Sequence, residues 1–309
     1  MAIKSRLKRL ITRTQSKELG FTLNMLKKSP LSITGLGILL LFTLIALLAP
    51  VLAPPIPGED PYLIPRDGYW QEPRPPNESH IFGTTDGQFD IFYGCIWGTR
   101  TAFYVGIVTV VFSLMIGITT GSIAGFYGGK IDELLMRITD VWYALPSLIL
   151  AMAFVIIFGA SLDSIIIAIT LVNWPSYARL MRSEVLRVRE EDFVEAATAI
   201  GCSKFRVLSR HVLPNTIYPV LIVASLDTGS IVLWAAALSF LGLGAPYGYA
   251  DWGQMIAFSR DWITGTFGNP YAFWYTFTIP GLFIFTFVLG WSLLGDAFRD
   301  ILDPMIRRR

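Results

Sequence analysis

Few residues in this chain stand where chemistry would need them. The two cysteines, Cys95 and Cys202, are too few for a disulfide scaffold and lie in no metal-ligand spacing. The two histidines, His80 and His211, have no His or Cys neighbour, so surface or packing roles are expected of both. Neither G-x-S-x-G nor H-E-x-x-H occurs. The nearest approach to a phosphate loop is Gly128-Gly129-Lys130, but Ala124 and Ile131 stand where such a loop needs Gly and Ser/Thr. The chain is therefore expected to be no enzyme and to bind no cofactor or metal. Any ATP that drives it must be held by another chain.

One acid does stand out. Asp227 lies eleven residues into the apolar stretch Thr216 to Leu243, roughly 16 Å along a helix axis and so near the middle of a bilayer. An ionisable group there is costly and faces a polar cavity or a partner. Ser225, Thr228 and Ser230 surround it in sequence. Two roles stay open: lining a solute pathway, together with Trp234 and Ala235 on the same stretch, or a hydrogen bond between packed helices. A single acid is too little for a proton relay, which weakens a self-sufficient secondary carrier or channel as the reading.

The elements that must hold these residues are membrane helices. Apolar residues make up 53% of the 309 and charged residues only 16%, against about 25% in soluble domains. That excludes a disordered chain, a collagen or a coiled coil, and a net charge of +2 gives no bulk field for nucleic acid. Six spans are predicted: Leu31 to Ala53, Thr101 to Phe126, Val141 to Phe158 with a kink at Pro146, Ser164 to Tyr177 interrupted by Pro175, Thr216 to Leu243, and Ala272 to Leu294. Residues 1–30 alternate bases with Ile and Leu and suit an amphipathic helix on the inner leaflet, beside anionic lipid. The acidic loop 54–100 is placed outside, its stretch 54–80 need not form regular structure, and residues 101–309 form the core. No cleavable signal peptide is visible. Of 25 Lys/Arg, 21 fall on the side of the termini and only Arg66, Arg74, Arg100 and Arg260 on the other. That bias places both termini in the cytoplasm of a plasma or inner membrane. Ser113, Gly117, Gly121 and Gly125 recur every four residues and offer a face for close helix packing, within the chain or to another subunit.

The segment 178–215 is too long for a plain connector. Glu190, Glu191 and Asp192 open a short helix, Phe193, Val194, Ala196, Ala197 and Ile200 give it an apolar surface, and Gly201 ends it. Ser203 is expected to cap a second short helix, and Pro214 to mark entry to the fifth span. Such helices suit a groove on another protein, or fold back on their own bundle.

Here the chain resembles a known family. Glu195-Ala196-Ala197, then Gly201, then His211-Val-Leu-Pro214 resemble the EAA loop, residues 190–214 here, of ATP-binding-cassette importer permeases. Asp132-Glu-Leu-Leu-Met-Arg137, Tyr177-Ala-Arg-Leu180, Ser239-Phe-Leu-Gly-Leu-Gly244, Trp252-Gly-Gln-Met255 and the tail from Gly295 to Pro304 are similar to the second permease of the dipeptide/oligopeptide importers. The resemblance implies an all-α, six-helix, MetI-like type I importer fold. It also implies a heterodimer with a homologous permease, two cytoplasmic ATP-binding subunits that carry ATP and Mg, and an external solute-binding protein. Glu195, Ala196, Ala197, Gly201 and Pro214 would then serve docking on an ATPase subunit. Two departures bear on the solute. Gly83-Thr84-Thr85 and Gln88-Phe89-Asp90 differ from the family pattern, and Ala235 stands where many members carry Glu. A neutral oligosaccharide is therefore carried as the alternative to a di- or oligopeptide.

Overall fold

The computed structural model describes residues 29–302 except 71 and 266–268. The amphipathic segment expected before Ser29 thus lies outside the described residues, as does the end of the tail. Among the described residues the architecture is entirely helical, with three isolated bridges in place of any sheet. In chain order the helices are α1 (Pro30–Leu52), α2 (Ile91–Tyr127), α3 (Gly129–Tyr143), α4 (Ser147–Phe158), α5 (Leu162–Arg189), α6 (Asp192–Ala199), α7 (Lys204–Val207), α8 (Leu213–Phe240), α9 (Trp252–Phe258) and α10 (Trp274–Leu302). A π turn, Leu208–Val212, joins α7 to α8.

Four of these stretches are long and apolar enough to cross a bilayer: α1, α2, the run from α7 through α8, and α10. A fifth is available if α3 and α4, bent 90° apart, count together. The bend sits at Pro146, where a kink was expected, but it is sharper than a kink. The amphipathic α3 turns away, and only twelve residues of α4 continue. The fourth expected span differs more. Helix α5 does not stop near Pro175 but runs 28 residues to Arg189. Its second half carries Arg179, Arg182, Arg187 and Arg189, so it leaves the apolar region as a polar shaft. Six spans therefore become four or five that pass on apolarity, with α5 only partly of that kind.

The prolines explain how such helices stay continuous. A proline inside a helix has no N–H and leaves the carbonyl four residues earlier without its donor. Pro175 does this to Leu171, and the indole N–H of Trp142 donates to the Leu171 carbonyl at 2.6 Å. Pro50 does it to Ala46, and Nε of Arg100 donates there, also at 2.6 Å. In both cases a side chain from another helix satisfies the freed oxygen, so the helix need not break.

Close packing centres on α2 against α5. Gly117 lies 2.9 Å, measured from an added Cβ, from the Trp174 carbonyl oxygen, and Gly125 the same from that of Arg182. At Gly121 an added Cβ would collide with the Ala178 carbonyl oxygen and sit 2.8 Å from Cβ of Met181. The strip of small residues is thus used within the chain. Outside the bundle, the loop before α2 ends at Asp90, so the helix begins at Ile91, ten residues before the predicted start at Thr101. The Asp90 carboxylate caps α2 by accepting from the Tyr93 N–H at 2.8 Å and also meets Nδ1 of His80 at 2.7 Å. The described residues of 54–80 hold no helix, as expected, a 3-10 turn at Asp86–Gln88 precedes α2, and the loop is firmly tied. Gln88 is buried, and its amide donates to the carbonyls of Trp70 (3.0 Å) and Glu72 (2.7 Å).

The Ser239–Gly244 and Trp252–Met255 motifs form a joint between α8 and α9. Ser239 donates to Asp251 at 2.6 Å, and Asp251 caps α9 through the Gly253 N–H at 2.8 Å. Burial pushes the Asp251 carboxyl up from its ordinary range, while the Ser239 hydroxyl and the Gly253 and Gln254 backbone donors pull it back.

Candidate functional site

A cavity of about 240 Å³ opens between α4, α5 and α8. Asp227 reaches it from the middle of α8, and Trp234 lies two turns further along the same wall. Tyr143 and Ser147, on either side of the Pro146 elbow, border it as well. Ala235 does not. It is buried on another side of α8, where with Asp251 and Trp252 it borders a void of about 20 Å³. A carboxylate in that position would face the cap joint rather than the cavity. Sequence reasoning passed over Asn173 and Ser176, which together with Ser230, already read as a polar neighbour of Asp227, make the wall polar. The signal was available in their spacing. Asn173 and Ser176 are three residues apart on α5, and Ser230 follows Asp227 by three, so each pair shares a helix face.

The elbow is strapped to the α5 shaft. Arg182 grips Asp132 through both guanidinium arms, with Nη2 to Oδ2 at 2.6 Å. Arg179 pairs with Asp140, and its guanidinium lies 4.2 Å over the Tyr143 ring. Arg189 donates to the Gly125 carbonyl at 3.0 Å. The shaft then leads directly into α6, so the cavity wall and the short helix are connected through one continuous element.

Helix α6 carries the EAA residues. Asp192 and Glu195 occupy its first turn, where their charge complements the helix dipole. Val194 and Ala197 are buried against the chain's own core, whereas Phe193, Glu195, Ala196 and Ile200 face outward. The structure thus separates Ala197 from Glu195 and Ala196. Ile200 is 81% exposed and Phe205 74%, an apolar ridge that the described residues leave uncovered. Gly201 ends the helix in a left-handed conformation, φ 83°. Its N–H bonds the Thr198 carbonyl (3.0 Å) and that of Cys202 bonds Ala197 (3.2 Å), the paired closure of a Schellman turn. Ser203 does stand at the start of α7, but its side chain makes no capping hydrogen bond. Pro214 is exposed in the first turn of α8.

Comparison with known proteins fits this geometry. The family described as binding-protein-dependent transport system inner membrane component matches residues 117–308. A second family, the N-terminal TM domain of oligopeptide transport permease C, matches residues 22–66. The dipeptide transport system permease protein DppC of Alkalihalophilus pseudofirmus is 42% identical over 282 residues, covering 91% of this chain and 88% of that one. The probable D,D-dipeptide transport system permease protein DdpC of Escherichia coli is 37% identical, over 91% and 89%. The oligopeptide transport system permease protein OppC of Bacillus subtilis is 33% identical, over 91% and 88%. Among solved structures, an inward-facing MetNI methionine ABC transporter aligns with a TM-score of 0.54 at 17% identity, covering 68% of this chain and 96% of that chain, a likeness of fold. With its apolar helices, its elbow-lined cavity and these matches along its length, the chain belongs to the binding-protein-dependent transport system inner membrane components, as a multi-pass membrane permease.

Proposed function

We propose that the chain forms half of the solute pathway of an ATP-driven importer for di- or oligopeptides. Its partners would be a homologous permease, two cytoplasmic ATP-binding subunits and an external solute-binding protein. The observation that carries this reading is the pairing of two features on one rod: the cavity wall on α5 and the exposed α6 ridge at its end. ATP-driven closure of the ATPase pair would move α6, and α5 would pass that movement to the elbow and the cavity. The chain itself would bind neither ATP nor metal. The named relatives are peptide permeases, and Asp227 with Asn173, Ser176 and Ser230 offers a carboxylate for an amine and hydrogen-bonding partners for amides. Both favour a peptide over an uncharged sugar.

Asp227→Asn keeps the size of the side chain and removes its charge. Uptake of peptides with a free amino terminus by the reconstituted complex is expected to fall at least tenfold, about 1.4 kcal/mol, while assembly is retained. Equal uptake by wild type and variant across several solutes would remove Asp227 from the pathway.

Orientation is tested with a membrane-impermeant thiol reagent. Cys202, half-buried beside the α6 turn, is expected to stay unlabelled in sealed right-side-out vesicles and to react after permeabilisation. Labelling from outside would invert the topology. Cys95 is buried and is expected to remain silent in both conditions.

A further inference from the structure

Six buried side-chain polar atoms among the described residues lack a hydrogen-bond partner, and four of them belong to one region: Thr109 and Ser113 on α2, Thr170 and Tyr177 on α5. Thr109, Ser113 and Tyr177 are 0% exposed and Thr170 is 6%. Their placement follows from the helix register. Thr109 and Ser113 continue, toward the N-terminal end of α2, the four-residue strip of Gly117, Gly121 and Gly125 that packs on α5. Gly117 meets Tyr177 and Ala178, Gly121 meets Ala178 and Met181, and Gly125 meets Val185. The two helices therefore run parallel with an offset of about sixty residues in number, and residues 109–113 oppose residues 169–173. Thr170 lies two turns before Tyr177 on the same α5 face.

Helical side chains lean toward the N-terminus of their own helix. Tyr177 thus points back along α5, to the level of Ser113. Helix α8 runs the other way: Gly106 meets Thr228 and Val232, so Asp227 leans toward the level of Thr109 and Ser113 from the opposite direction. The Tyr177 hydroxyl is directed at the Asp227 carboxylate but stays outside the geometry of a direct hydrogen bond, which leaves the pair a further bridging partner to share.

These hydroxyls also decline their ordinary local partner. A Ser or Thr inside a helix commonly donates to the carbonyl four residues back. Thr99, Thr119 and Thr228 do so in this chain, at 3.1, 2.7 and 3.0 Å. Thr109, Ser113 and Thr170 do not. An orphaned buried hydroxyl costs about 1–3 kcal/mol, and four together in an apolar bundle call for a shared partner. Buried water makes about three hydrogen bonds of this kind.

We infer that the α2–α5 seam holds a small cluster of ordered water molecules bridging Thr109, Ser113, Thr170 and Tyr177 to the carboxylate of Asp227. The cluster lies behind the cavity wall and supports the carboxylate from its rear while its other side faces the cavity. The inference depends neither on the solute nor on the partner subunits.

The test uses the full-length chain with its co-purifying subunits. Thr109→Val, Ser113→Ala and Tyr177→Phe each remove a hydroxyl with little change of shape. If the seam is wet, each lowers the thermal midpoint by about 2–4 °C. The double variant Thr109→Val/Tyr177→Phe then loses less than the sum, because both hydroxyls share the same water. If the seam is dry, removing an unpaired hydroxyl leaves the midpoint unchanged or raises it, and the inference is overturned. Radiolytic hydroxyl labelling of the wild type is the second measurement. Tyr177 is expected to be modified despite its burial, and an unmodified Tyr177 counts against bound water. Exchange of sodium and potassium for choline is expected to leave the midpoint unchanged. A cation-dependent shift would replace water by a bound ion and overturn the assignment.

Discussion

Replacing Gly121 with leucine is expected to prevent the protein from accumulating in the membrane at all. The position leaves no room for adjustment, because an added Cβ meets the Ala178 carbonyl oxygen of α5 and, 2.8 Å away, Cβ of Met181. The first is backbone and cannot rotate aside, so α2 and α5 must separate along the seam that holds the bundle together. Overpacking of a well-packed contact costs about 1–3 kcal/mol, and a backbone collision within the close α2–α5 seam belongs at the upper end. Even Gly121→Ala is expected to lower the thermal midpoint by several degrees. Gly37→Ala and Gly281→Ala serve as controls, since among the described residues nothing beyond the local helix backbone lies within 4 Å of a Cβ at either position. The measurement is the yield and thermal midpoint of detergent-extracted protein. A Gly121→Leu variant with wild-type yield and midpoint would show that the α2–α5 packing is wrong.

The second large effect is expected at Gly201. Its φ of 83° excludes a β-branched residue at a cost of about 1–3 kcal/mol, and valine there would unwind the Schellman closure of α6. Among the described residues, chain neighbours aside, no atom lies within 4 Å of an added Cβ, so the penalty there is conformational. Gly201→Val is expected to insert normally while binding of ATPase subunits, in a pull-down, and uptake by reconstituted vesicles fall together by tenfold or more. Asparagine tolerates the left-handed region, so Gly201→Asn separates two causes. If it retains docking, the defect of valine lies in the turn, and if it fails equally, its side chain meets the docking cleft. Glu195→Ala is expected to do less, because an exposed charge contributes about 1 kcal/mol or below. Full assembly and coupled uptake by Gly201→Val would show that α6 is not the docking element.

How much of this was legible in the sequence varied with the physics behind each residue. The Pro146 bend, the helix end at Gly201 and the intrachain or intersubunit use of the Ser113–Gly125 strip could be read directly, because proline, glycine and spacing act locally. The extent of α5 could not. Pro175 reads as an interruption only until the Trp142 donor, 33 residues earlier, is known, and pairing of that kind has no sequence period. Ala235 went astray for a related reason. Its neighbour Trp234 faces the cavity, but one residue along a helix is a turn of about 100°, and that was enough to take Ala235 to the cap joint. Asn173 and Ser176 were overlooked because isolated polar residues in apolar helices signal little until their shared face is considered.

The pairing of Pro175 with Trp142 and of Pro50 with Arg100 also gives these positions a direction of inheritance. If the proline is lost first, the new backbone N–H and the existing side chain can share one carbonyl, which has two lone pairs, and the change is nearly silent. If the tryptophan or arginine is lost first, the oxygen is stranded among apolar helices and the change is penalised at once. Lineages can therefore leave the paired state readily through the proline and only with difficulty through the donor. Descendants that keep Trp142 or Arg100 without the proline should consequently outnumber those that keep the proline alone.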